Sequence, residues 1–186
     1  SDPITFSIID AMQSRQVFGR PKIGDQLAIV INKEDKRKAD IVIDLDELKG
    51  TWVYQVMPKL RKKPHIAGMP QPKANPERDS MIQKLMVPIE QGFKIKKQFT
   101  MDPVGLRFKQ TSLTGESPVE YPQAEYYKEW HVLNGRLVFT EGTIDTGSKK
   151  RRKLKPQKDT VEIVLMMKDS LQLKFKDGIK AYYRKK

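Results

Sequence analysis

From residue 51 to its end the chain is a succession of short apolar-alternating runs, each bounded by turn residues. That pattern constrains the fold more than any other feature, because alternation of period two reads as half-buried strand. The runs cover residues 51–57, 81–87, 92–100, 105–113, 125–133, 136–143, 160–167, 171–176 and 179–184. Nothing between them combines helical period with helical length. An all-β domain of adjacent antiparallel hairpins is therefore expected, closed as a barrel or stacked as a sandwich.

Two hairpins fix their own register. Asn134-Gly135 suits a type I′ turn, since both positions accept positive φ. A two-residue loop there pairs Val132 with Leu137 and Trp130 with Phe139 on one face, leaving His131, Arg136 and Val138 on the other. Around Asp177-Gly178 a three-residue loop, 176–178, is expected instead. It pairs Phe175 with Ile179, Leu173 with Ala181 and Leu171 with Tyr183 as one apolar face. Upstream, Val161, Ile163, Leu165 and Met167 alternate and extend that face. A meander with one apolar side must bury it, and no later helix can cover it. Closure into a barrel does so and also removes exposed edges.

The first 46 residues read as an N-terminal extension to a domain at 47–186. A helix is expected over 3–17, capped by Asp2, with Pro3 in its first turn and Ile4, Ile8, Ala11 and Met12 on one face. Gly19 and Pro21 end it. A hairpin of 26–31 and 40–44 is expected to follow, around the charged turn 32–38.

Of the 186 residues, 36 are Lys or Arg and 23 Asp or Glu, a formal net charge of +13 that excludes an acid-rich solvating chain. The excess is local. Residues 147–158 hold Lys149, Lys150, Arg151, Arg152, Lys153, Lys155 and Lys158 with no acid, and 58–79 hold six cations against Glu77 and Asp79. Prolines 58, 64, 70, 72 and 76 interrupt the latter, so neither helix nor ladder is expected to continue through it. Both stretches read as basic loops. Lys149, Lys150, Arg151, Arg152 and Lys153 are the candidate anion-binding residues, for polyanionic surfaces such as sulfated glycans or lipid phosphates. Nucleic acid is disfavoured, because the tract carries no aromatics on which bases could stack. A solvated loop is the plain alternative.

Catalytic chemistry finds little support. Cysteine is absent, which excludes thiol nucleophiles, disulfides and cysteine-bound metals. His65 and His131 are the only histidines, and no Ser-His-Asp order, H-E-x-x-H pair or phosphate-cradling glycine loop occurs. Asp44, Asp46 and Glu47 lack the spacing and glycine of a calcium loop. No catalytic residue, metal ligand or cofactor is assigned, and no apolar run reaches the roughly 20 residues that span a bilayer.

At Leu48-Lys49-Gly50-Thr51-Trp52-Val53-Tyr54 the sequence resembles the opening of the lipocalin family, which starts its first barrel strand with Gly-x-Trp after a helical turn. Further matches follow in order at Gln91-Gly92-Phe93, Tyr127-Lys128-Glu129-Trp130, Asn134-Gly135-Arg136-Leu137-Val138-Phe139, Asp159-Thr160, Asp169-Ser170-Leu171 and Tyr183-Arg184. Together they resemble the lipocalin-like domains of bacterial lipoproteins from Gram-negative gut anaerobes, over residues 47–186. The resemblance implies an up-and-down antiparallel β-barrel of about eight strands, outside the cytoplasm in the cell envelope, with a lipid anchor lying outside this chain. It implies closure by Trp52 with Arg184 packed across it. It also implies an interior lined by Phe93, Leu106, Phe108, Trp130, Phe139, Leu165, Leu173 and Phe175. These residues either line a pocket for a small apolar or anionic amphipathic ligand or fill a small barrel with their own side chains. The expected function is accordingly non-enzymatic ligand binding. The alternative is an interaction or scaffold module with a filled barrel, binding polyanionic surfaces or a protein partner.

Overall fold

The computed structural model describes residues 3–60, 76–105, 118–122, 124–142 and 156–186. In chain order its elements are α1 (Ile9–Gln13), β1 (Val17–Phe18), β2 (Leu27–Ile31), β3 (Ala39–Asp44), α2 (Leu45–Leu48), β4 (Gly50–Val56), β5 (Lys59–Leu60) and α3 (Pro76–Leu85). Then come β6 (Ile89–Ile95), β7 (Met101–Val104), β8 (Val119–Glu120), β9 (Tyr127–Leu133), β10 (Arg136–Glu141), β11 (Lys158–Met167), β12 (Ser170–Phe175) and β13 (Gly178–Lys185).

Eight strands form one antiparallel sheet in the order β7-β6-β4-β13-β12-β11-β10-β9. Its two ends meet at the bridge between Thr100 and Glu129, so the sheet curls into a nearly closed barrel. The last strand zips onto the strand that carries Trp52, through Tyr183–Val53, Arg184–Trp52 and Lys185–Thr51. This is an up-and-down antiparallel barrel. The turns at 96–100, 134–135 and 168–169 gather at the end where β4 begins, here called the base. The 176–177 turn lies at the opposite rim.

The residues before Leu45 form a second layer. Strands β1, β3 and β2 make a three-stranded sheet, β1 parallel and β2 antiparallel to β3. It covers the base. A Cβ placed on Gly135 would lie 2.5 Å from Ile41 Cδ1, and one on Gly19 would lie 2.8 Å from Met166 Cε. Phe18 and Ile43 belong to the same buried cluster as Leu48, Trp52, Phe139 and Leu171, so one core runs through both layers.

The type I′ turn is present, with φ of 49° at Asn134 and 75° at Gly135, and Leu137–Val132 and Phe139–Trp130 pair across it. Other expectations require correction. The helix expected over 3–17 is only the five residues of α1. Ser7 instead exchanges backbone bonds with Arg37 and Ala39, so its segment runs along β3 rather than coiling. The strand expected at 81–87 is mostly helix α3. Pro76 fits the first turn of that helix, Glu77 and Asp79 sit at its positive end and Lys84 at its negative end. The 58–79 stretch is not wholly irregular either, because β5 pairs with β8 and α3 starts at Pro76. The strand expected at 92–100 stops at Ile95 and gives way to a tight turn, Lys97–Phe99. Of the strand expected at 105–113 all but Gly105 lies outside the described residues; β7 occupies Met101–Val104, before it.

Around 176–178 the register differs by one residue. Phe175 pairs with Gly178, Leu173 with Lys180 and Leu171 with Tyr182. Tyr182 points inward and Ile179 is 60% exposed, the reverse of the expected face. The inward places at the strand ends go to long cations whose charged groups lie over aromatic rings, which an apolar-only criterion misses. Lys180 lies 4.7 Å over Phe175 and reaches Glu125 at 2.7 Å. Leu165 is likewise displaced. A bulge between Ile163 and Leu165 advances the alternation, so Met166 is buried and Met167 exposed.

Candidate functional site

The lumen was the first place expected to hold a ligand. Phe93, Trp130, Phe139, Leu173 and Phe175 all point into the core and are buried. Leu165 does not belong with them: it is only partly buried and pairs with Gln172. Leu106 and Phe108 lie outside the described residues, as do the anion-binding candidates Lys149, Lys150, Arg151, Arg152 and Lys153. Opposing rings meet across the lumen. Phe93 contacts Phe139 at 5.4 Å and Tyr182 at 5.0 Å between centroids; Phe139 in turn contacts Tyr127 at 5.1 Å and Phe175 at 6.3 Å. Tyr54 closes on Tyr182 at 5.3 Å. These tilted and edge-on contacts link rings from opposing strands across the barrel.

At the base Trp52 is fully buried, its Nε1 donating to the Leu48 carbonyl at 2.8 Å. The Arg184 guanidinium lies 4.1 Å from the Trp52 ring centroid. It donates to the carbonyls of Lys49 at 2.7 Å, Glu47 and Lys168. Burial lowers its proton affinity, and Glu47 and Asp169 oppose that shift. Gly50 has no Cβ because one would stand 2.2 Å from Arg184 Nη1. This is a structural clamp, with its donors committed.

The rim carries acids. Glu125, Tyr127, Asp159, Phe175 and Asp177 line a cavity of about 240 Å³. The Tyr127 hydroxyl donates to Asp159 at 2.9 Å, while Lys180 bridges Glu125 and Asp177. Burial raises the Tyr127 and Glu141 pKa values, helped in both cases by neighbouring carboxylates. This cavity is smaller than the roughly 300–1,000 Å³ typical of ligand pockets.

A larger opening lies at the base, between the N-terminal layer and the barrel wall. It is a cleft of about 540 Å³, whose walls include Asp46, Lys49, Lys97, Gln98, Phe99 and Trp130. Sequence reasoning did not find it. Its outer wall is the turn between β6 and β7, where Gln98 and Phe99 both adopt left-handed φ, 60° and 58°. Neither residue type favours that conformation, which costs about 1–3 kcal/mol per residue. The result is an aromatic ring 55% exposed to solvent, backed by Trp130 at 5.3 Å. Trp130 donates its Nε1 to the Lys96 carbonyl at 3.2 Å, so the ring and not a free donor faces the cleft.

Behind the inner wall the buried Asp44 caps α2, accepting from the Asp46 and Glu47 amides at 2.9 Å each. Burial raises its pKa against those two bonds. Asp46 then accepts from the Gln26 amide and from Lys49, each at 2.6 Å, and these contacts hold its carboxyl below the usual range. Among the described residues no three His, Asp or Glu side chains gather to hold a metal ion, and no helix is long and apolar enough to cross a membrane.

No family model matches the sequence, and no curated protein does. Among solved structures the chain is similar to a lipocalin-like protein from Bacteroides thetaiotaomicron. The two are 18% identical, with a TM-score of 0.36, over 74% of this chain and 95% of that one. The barrel itself rests on the strand order and register given above.

Proposed function

We propose that this is a non-enzymatic binding protein for a small amphipathic ligand, held in the cleft at the base rather than in the lumen. The observation that carries the reading is the continuous set of ring contacts across the barrel, beside an open cleft of ligand-pocket size. A filled barrel then serves as a rigid frame, and the strained turn at Gln98-Phe99 presents the contact surface. Apolar area removed from water in such a cleft supplies about 25 cal/mol per Å², less the costs of ordering.

The neutral fluorescent probe N-phenyl-1-naphthylamine tests this. Uptake of one equivalent, lost in Phe99→Ala and unchanged by Leu173→Met in the lumen, is the expected result. Uptake that survives Phe99→Ala would return the ligand to the barrel interior. Absence of any uptake would favour the filled interaction module.

A further inference from the structure

We infer that the base cleft selects a planar aromatic ring carrying a single anionic group, such as a carboxylate or sulfonate. The inference rests on the binding function proposed above and adds the chemistry of the ligand. It follows from counting which charges in the cleft are already satisfied. Lys49 is held by Asp46 at 2.6 Å and Gln26 Oε1 at 3.3 Å, and the Asp46 carboxylate is occupied by Lys49 and the Gln26 amide. Lys96, next to the cleft, is paired with Asp102 at 2.6 Å. Lys97 lies near enough to Asp46 to help hold that carboxyl low but makes no ion pair with it, and the Gln98 side chain has no hydrogen-bond partner among the described residues. One cation is thus left over, beside one neutral amide.

The apolar part has a matching shape. Phe99 is more than half exposed, and its ring is tilted 55° against Trp130, which supports it from behind. An exposed aromatic surface with a buried aromatic behind it favours a flat ring that stacks, over a flexible alkyl chain. A cationic ligand would find Lys97 repulsive and Asp46 already taken. A dianion would leave its second charge without a partner in the cleft.

The test uses the full chain and 2-naphthoate, with 2-naphthylmethylammonium and cyclohexanecarboxylate as comparators, followed by calorimetry and by the two indole N–H signals in a nitrogen–proton NMR spectrum. We expect one equivalent of 2-naphthoate to bind and to shift the Trp130 indole signal more than that of Trp52. Both comparators should bind at least tenfold more weakly. Lys97→Glu should weaken 2-naphthoate at least tenfold and bring the ammonium comparator up to or past it, whereas Lys84→Glu on α3 should change neither. Equal binding of the naphthyl anion and cation, or an unaffected Lys97→Glu, would overturn the proposed ligand chemistry while leaving a Phe99-dependent site intact. Failure of every probe to give a Phe99→Ala-sensitive signal would remove the site itself. Unchanged melting and circular dichroism of each variant separates these outcomes from misfolding.

Discussion

Removing the Arg184 side chain should loosen the seam where the barrel closes. The guanidinium makes three hydrogen bonds to main-chain carbonyls on β4's approach and the β11–β12 turn, and it covers the Trp52 ring. Because the site is partly open to water, each bond is counted at the neutral value of about 1 kcal/mol rather than the larger charged one. The ring contact adds about 0.5–2 kcal/mol. Arg184→Ala should therefore cost about 4 kcal/mol, which for a chain this size lowers Tm by about 8–16 °C. Arg184→Lys keeps a cation over the ring but only one compact donor group, and should cost about half as much. Urea unfolding at constant m reads both. Gly50→Ala provides a second route, since its methyl group would displace Nη1, beside the strain that alanine meets at φ 142° in either background. Its cost should shrink in the Arg184→Ala background, because both changes break the same contact. A loss below 1 kcal/mol in Arg184→Ala, or additive behaviour of the two substitutions, would refute the clamp.

Three further outcomes are expected. Asp44→Ala removes the cap of α2 and should cost about 0.5–2 kcal/mol, whereas Asp44→Asn keeps the acceptor, discards a buried charge and should be at least as stable at pH 7 in the same urea assay. Glu141 has a raised pKa because burial, then Asp159 and Glu125, disfavour its anion. The folded state therefore binds this proton at a pH where the unfolded chain has released it. Wild type should gain stability relative to Glu141→Gln as pH falls from neutral towards the ordinary glutamate value of 4.5, with no further gain below it. Gln98→Gly relieves a left-handed residue and should raise stability by about 1 kcal/mol, read as a higher melting temperature.

The sequence signals that succeeded were those with a stereochemical cause. Asn134-Gly135 can turn in only a few ways, so the β9–β10 pairing followed from two residues. The rule that failed was to match apolar residues to the inside. At β13 the inward positions near the ends belong to Lys180 and Arg184, whose charged groups lie over rings and also reach carboxylates or carbonyls. In β11 a bulge between Ile163 and Leu165 changed the facing of Leu165, and no glycine or proline announced it. The base cleft was illegible for a similar reason. It depends on positive φ at a glutamine and a phenylalanine, residues that carry no turn signal.

The shared core has a consequence for how the molecule comes apart. Phe18 and Ile43 interlock with the barrel floor, and the β9–β10 turn has room only for a glycine beneath Ile41. The N-terminal sheet cannot lift away without wetting Trp52 and its neighbours, so detachment of one layer amounts to melting of both. Amides in β3 and in β12 should therefore exchange with solvent through the same rare opening, at a common free energy.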